Sequence, residues 1–252
     1  MSELKGWWNF MLPVDVDNDG DLDIIAGNLG LNSRVQASQE KPVTMYHYDF
    51  DDNGRKEQLL TYFVRDKEVP FASFAELSKQ MPFIKKKFLY AGDFANAKLQ
   101  DIFDPKTLRA ASKYTADYFS SVILINNGTG QFEMRALPWE AQLTPYRDAV
   151  IINANGDNLP DILLTGNYFD SNTEIGRHDG EAVTLLINRG SGNFSVQRPG
   201  FLWLSQAQAR HAANINLHNG SQNIVVATNN DSVRVLQIIG NARKSGSKDA
   251  VK

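Results

Sequence analysis

The sequence predicts an all-β fold of repeated four-stranded sheets with a helical insertion, and three observations predict it. Oxygen-bearing side chains alternate through short loops that lead straight into apolar strands, at Asp15–Asp23, Asp49–Glu57 and Asn153–Asp161. Two unlike segments recur at one period: Asn126-Asn127-Gly128-Thr129-Gly130-Gln131-Phe132 is matched by Asn188-Arg189-Gly190-Ser191-Gly192-Asn193-Phe194, and Asp161-Ile162-Leu163-Leu164-Thr165-Gly166-Asn167 by Asn223-Ile224-Val225-Val226-Ala227-Thr228-Asn229, both offset by 62 positions. Between Pro70 and Thr115 the strand-like pattern gives way to capped, amphipathic stretches. A shared period in unrelated segments marks a repeat architecture, and a unit of this size suits a propeller blade with long loops.

The loops carry the chemistry. Asp15, Asp17, Asp19, Asp21 and Asp23 place five carboxylates in nine residues, which repel one another unless a hard cation sits among them. An EF-hand needs a bidentate Glu at its twelfth position, where this chain has Ala26 and, in the second loop, Leu60. That leaves a nine-residue loop in which side chains at positions 1, 3, 5 and 9 and the carbonyl at position 7 bind Ca2+. In the first loop the carbonyl is that of Asp21. In the second loop the ligands are Asp49, Asp51, Asn53 and Glu57, with the carbonyl of Arg55. In the third they are Asn153, Asn155, Asp157 and Asp161, with the carbonyl of Leu159. The third loop is the weaker, because two carboxylates have become amides and the position-6 glycine is Asn158. At the equivalent place in the last unit stand Ile215, Leu217, Asn219 and Asn223, and apolar side chains cannot ligate an ion.

In chain order, Trp7 to Val16 reads as a strand entering the first loop and Asp23 to Asn28 as its hairpin partner. A polar connection, Leu29 to Lys41, leads to a second pair of strands at 43–64. Ser73-Phe74-Ala75-Glu76 is a capping box opening a helix that Pro82 stops. The run Lys85-Lys86-Lys87 is expected on a solvated helix face. The excess spacing between the second and third loops is close to the length of this helical block. Blade one is therefore placed at about 7–41 with its outer strands lost or abbreviated, and blade two at about 43–137 with a helical insertion at about 70–115 and its outer strands at 119–137. Blade three follows at about 147–198 and blade four at about 205–240, with Ser232 to Ile239 as its third strand. The whole propeller segment is 7–240, and the Ser-, Lys- and Gly-rich tail 241–252 is expected to be disordered. Trp139 and Trp203 are expected to pack between blades.

Longer strings carry a resemblance: Gly6-Trp7-Trp8-Asn9, Gly27-Asn28-Leu29-Gly30-Leu31-Asn32-Ser33, Phe83-Ile84-Lys85-Lys86-Lys87-Phe88 and Glu174-Ile175-Gly176-Arg177. With the loops, they resemble FG-GAP (VCBS) repeats of integrin-α-type β-propellers, in the group of bacterial proteins related to cartilage acidic protein that often carry an ASPIC/UnbV domain. The resemblance implies an extracytoplasmic calcium-binding propeller used for recognition or adhesion, with a glycan or protein as ligand, and no agreed chemistry. Such propellers usually have seven blades, and only about three and a half are visible here. A partial ring is expected to self-associate or to meet the remaining blades of a larger parent protein.

Composition sets limits on the other classes. The net charge is -3, with no basic patch interleaved with aromatics to suggest nucleic acid. Cysteine is absent, which removes disulfides and thiolate sites. No apolar run is long enough to span a membrane, and Met1 to Gly6 is no signal peptide, so the export signal is expected in a preceding part. The alternative to a binding module is a polysaccharide-acting enzyme with a site in the connection Tyr168 to Glu181, around Glu174, Arg177, His178 and Asp179.

Overall fold

A computed structural model describes residues 4–172, 174–197, 206–216 and 222–237 of the protein. In chain order, a hairpin of β1 (Phe10–Val14) and β2 (Asp23–Gly27) is followed by β3 (Val43–Tyr48), β4 (Glu57–Val64) and β5 (Lys67–Pro70). Five short helices come next, α1 (Phe74–Gln80), α2 (Phe83–Lys87), α3 (Ala91–Asn96), α4 (Leu99–Ile102) and α5 (Pro105–Ala110), and then β6 (Ser112–Ala116). β7 (Val122–Asn126) and β8 (Phe132–Ala136) precede β9 (Asp148–Ile152), β10 (Asp161–Thr165), β11 (Val183–Asn188) and β12 (Phe194–Gln197). β13 (Ala209–Asn216), β14 (Gln222–Thr228) and β15 (Arg234–Gln237) complete the described strands, and a short 3-10 helix, Trp139–Gln142, lies between β8 and β9.

These strands form four open antiparallel sheets, ordered β1-β2-β7-β8, β5-β4-β3-β6, β9-β10-β11-β12 and β13-β14-β15. The first sheet corrects the expected partition of blades one and two. β7 and β8, expected to be the outer strands of the second blade, complete the first: Ile24 pairs with Leu124 and Ile25 with Ile123. The second sheet has no need of them, because β5 and β6 flank its central pair. Residues 43–116 are thus a sheet-and-helix unit nested in the connection between β2 and β7. The equivalent loop of the last unit lies largely outside the described residues, and Trp203 and the tail 241–252 lie wholly outside them.

Local chemistry explains the elements. Every residue of β10, Asp161-Ile162-Leu163-Leu164-Thr165, is buried, as an inner strand covered on both faces requires. Ser73 caps α1 through a reciprocal pair with Glu76, and Met81 is the last residue before Pro82. Asp104 caps α5, whose first residue is Pro105. The three lysines of α2 are exposed.

The cores follow the sheets. Val14, Ile25, Ile123 and Ile125 of the first sheet pack with Tyr146, Ile162, Leu164 and Leu186 of the third. Tyr146 is fully buried, donates to or accepts from Thr184 Oγ1 at 2.7 Å, and has its phenol pKa pushed up by burial. A second core joins the third sheet to the fourth, and β9 contacts both β1 and β13. The nested unit has its own core, Tyr46 and Leu59 against Leu77, Met81, Ile84 and Ile102. Tyr62 and Phe71 of that unit pack with Leu29 and Val35, which follow β2, and with Phe119, which precedes β7. Trp139, expected to pack between blades, is 60 % exposed. No helix among the described residues is long and apolar enough to cross a membrane.

Candidate metal centres

The three loops share one backbone shape. Positions 4 and 6 take positive φ in each: Asn18 and Gly20, Asp52 and Gly54, Gly156 and Asn158. Asparagine tolerates this left-handed region better than most residues, so Asn158 stands where the other loops use glycine. The position-1 side chain folds the loop over itself. Asp15 accepts from the amides of Asp19 (3.2 Å) and Gly20 (3.0 Å), and Asp49 accepts from those of Asn53 (3.0 Å) and Gly54 (2.8 Å). The position-5 side chain accepts from the amide of position 7: Asp19 from Asp21 N and Asn53 from Arg55 N, each at 2.8 Å, and Asp157 from Leu159 N at 2.9 Å.

Position 9 has a different task. Asp23 is fully buried, and its two oxygens accept from Val16 N (2.9 Å) and Asn126 N (2.8 Å). Asp161, equally buried, accepts from Ala154 N (2.8 Å) and Asn188 N (2.9 Å). In the nested unit Glu57 accepts from Phe50 N at 2.8 Å. Each carboxylate ties the start of its loop to the strand that follows, and in the first and third sheets also to the third strand. Two amide bonds leave further lone pairs, so the clamp does not exclude a cation.

Position 3 distinguishes the loops. Asp17 Oδ1 and Asp51 Oδ1 are buried with no hydrogen-bond partner among the described residues. Burial pushes the Asp17 pKa up, and the carboxylates of Asp19, Asp23 and Asp15 push it further. Asp15, Asp17 and Asp19 form one cluster whose oxygens lie within 4.8 Å of one another, and Asp49, Asp51 and Glu57 form another. Either could hold a metal. Asn53 completes the second loop by position, and Asp21 lies apart, facing Gly128. In the third loop the orphan is gone: Asn155 Nδ2 donates to Asp157 Oδ2 at 2.7 Å while Asn155 Oδ1 accepts from Asp157 N at 3.0 Å. An amide nitrogen there supplies the positive partner that the other two loops lack.

The first and third loops sit together at one end. Asn188, buried and next to the third loop, donates from Nδ2 to Val16 O at 2.7 Å in the first, and Arg135 Nη1 donates to Ser191 O at 3.0 Å. Neither contact is written in the loop pattern, because each joins two sheets.

At the other end, the residues named for an enzymatic site separate. Arg177 lies 3.6 Å from the Phe169 ring centroid and 3.6 Å from Asp179. His178 is buried, in antiparallel main-chain pairing with Tyr168, and desolvation followed by the Arg147 charge lowers its pKa. Glu174 reaches the nested unit instead: its carboxyl lies beside Glu76 of α1, and its carbonyl accepts at 3.0 Å from Nη1 of Arg34 in the connection that precedes that unit. There a cleft of about 680 Å³ is lined by Arg34, Tyr62, Phe71, Phe74, Phe94 and Glu174. The Glu76 carboxyl is held below its ordinary range, chiefly by the Ser73 amide of the helix cap.

Two outcomes follow from these loops. Asp17→Asn should raise the melting temperature by a few degrees in chelator, because it removes a repelled, desolvated charge, and lower it relative to wild type in millimolar calcium; differential scanning calorimetry in the two buffers reads the change of sign. Asp161→Ala should cost about 3 kcal/mol in urea unfolding with or without calcium, because two amides lose a charged acceptor. Comparison with protein-family models, with curated proteins and with solved structures found no match.

Proposed function

We propose that the chain is a segment of an integrin-α-like FG-GAP/VCBS β-propeller, stabilised by calcium, that works outside the cytoplasm as a recognition or adhesion module for a glycan or protein. The observation that carries this reading is the pair of buried, unpartnered oxygens, Asp17 Oδ1 and Asp51 Oδ1, at the same position of two loops. A buried polar atom without a partner calls for an explanation, and a cation is the one that suits three neighbouring carboxylates. Asp15, Asp17, Asp19 and Asp23 with the Asp21 carbonyl would hold one ion, and Asp49, Asp51, Asn53 and Glu57 with the Arg55 carbonyl another. An all-protein set of many oxygens fits calcium better than magnesium, which keeps several waters.

Other features support the propeller. The edge strands β1, β9 and β13 lie side by side, and the acidic loops of the sheets that hold β1 and β9 share one end. Trp8, Met11, Ala26, Val122, Leu124 and Met134 leave an apolar cleft of about 200 Å³ on the first sheet, which suits self-association or a further blade. The long connections gather at the opposite end, where recognition is proposed.

The cleft beside Glu174 favours a second reading, hydrolysis of a polysaccharide. Against it, the Glu76 carboxyl serves as a helix cap and its lowered pKa suits a permanent anion, not a proton donor.

Calcium at about a hundred times its dissociation constant should add about 2.7 kcal/mol to unfolding stability, and magnesium at equal concentration much less. A melting curve indifferent to millimolar calcium would sink the proposal. Incubation with soluble polysaccharides should release no reducing ends above the blank; turnover that disappears in Glu174→Gln would establish the enzyme instead.

A further inference from the structure

At the end away from the acidic loops, the chain enters two of the edge strands through equivalent main-chain bonds, Asn9 N donating to Gly27 O (2.8 Å) and Arg147 N to Thr165 O (2.7 Å), while Ala209 N at the start of β13 donates across to Gly166 O, just past β10 of the third sheet (2.9 Å). Polar side chains follow from this register. Arg147 Nη1 donates to Asn9 Oδ1 at 2.9 Å, and the guanidinium carbons of Arg147 and Arg210 lie 4.5 and 5.3 Å from the Tyr168 ring centroid.

The charges around that ring are unevenly matched. Arg210 has Asp170 at 3.4 Å and Arg177 has Asp179 at 3.6 Å. Arg147 has no ion-pair partner among the described residues, and its buried Nε has no hydrogen-bond partner there. Beside it is a cavity of about 140 Å³ lined by Trp7, Asn9, Leu29, Tyr168, Ser171 and His178. The Ser171 hydroxyl is spent on the Gly176 carbonyl, and burial, followed by the Arg147 charge, disfavours the charged form of His178. The positive charge of the cavity wall therefore comes from Arg147.

We propose that this cavity binds the carboxylate of an acidic ligand, with Arg147 as its charged partner and the Trp7 and Tyr168 rings flanking the carbon skeleton. The assignment rests on reading this end of the molecule as the recognition surface. Three arguments fix the chemistry. A guanidinium fork matches a planar carboxylate, and one uncompensated cation balances one negative charge, where a phosphate would bring closer to two. A pocket for a whole drug-sized ligand measures some 300–1,000 Å³, so this one takes a single end group. Aromatic walls suit the apolar face of a small skeleton. The carboxylate could belong to a sugar acid of a glycan or to a free small acid.

The test is calorimetric titration of the full chain in calcium with glucuronate, glucose, acetate and inorganic phosphate. Glucuronate should bind saturably and glucose should not. Arg147→Gln should weaken glucuronate at least about tenfold, the loss expected for one charge-assisted contact, while Lys86→Gln on the exposed face of α2 leaves it unchanged. If Arg147→Gln does not fold, Arg147→Lys decides, since it keeps the charge and loses the fork; several-fold weakening is expected. Glucuronate tighter than acetate identifies a sugar acid, and equal affinities a free small acid, both upholding the carboxylate site. Binding of neither acid, equal binding of glucose, tighter binding of phosphate, or indifference to the Arg147 variants overturns it. A chain that takes up calcium and ignores both acids refutes this site alone; one that binds glucuronate and no calcium refutes the metal reading and leaves the cavity standing.

Discussion

The structure depends on buried carboxylates at the ends of its acidic loops. Asp23 and Asp161 are fully buried, a placement that costs several kcal/mol per charge unless strong donors meet it. Two main-chain amides do so in each case, one from the second residue of the loop and one from the end of the third strand. The clamp fixes where the hairpin starts and how the next strand joins, so sheet register and loop shape are set by one group. Asn188 extends the arrangement between sheets by donating to Val16 O and to Pro160 O.

With that frame in place, the rest of each loop has a choice of positive partner. The first two loops gather carboxylates around an oxygen with no hydrogen-bond partner among the described residues, whereas the third turns an amide inward and satisfies itself. The same backbone therefore serves as an acidic turn that could hold a metal and as a turn that closes on its own hydrogen bonds. The difference lies in amides at positions 1 and 3, where the first two loops have carboxylates. At the far end the logic is reversed, with a cation, Arg147, facing a cavity instead of a carboxylate.

What could be read from the sequence was what is local. The alternation of oxygens, the exclusion of a twelve-residue loop, the capping box at Ser73 and the solvated lysines of α2 all depend on neighbours a few positions apart. What could not be read was long-range. The role of Asp23 needs Asn126, 103 positions away, and the Arg147 pocket needs Asn9, 138 away. The partition of strands failed for the same reason: spacing alone placed 119–137 with the sheet that precedes it in the chain, whereas the apolar register of β2 against β7 decides otherwise. The left-handed position 4 was legible in principle, since Asn18, Asp52 and Gly156 are residues that tolerate it.

The nesting of one sheet inside another's connection sets a timetable for synthesis. Ile24 emerges from the ribosome a hundred residues ahead of its partner Leu124. In the interval β2 presents an open, apolar edge, and the intervening unit, with its own core around Leu77, Met81 and Ile84, has time to condense first. Pairing at such separation is slow, so the newborn chain spends its most aggregation-prone moments waiting for β7.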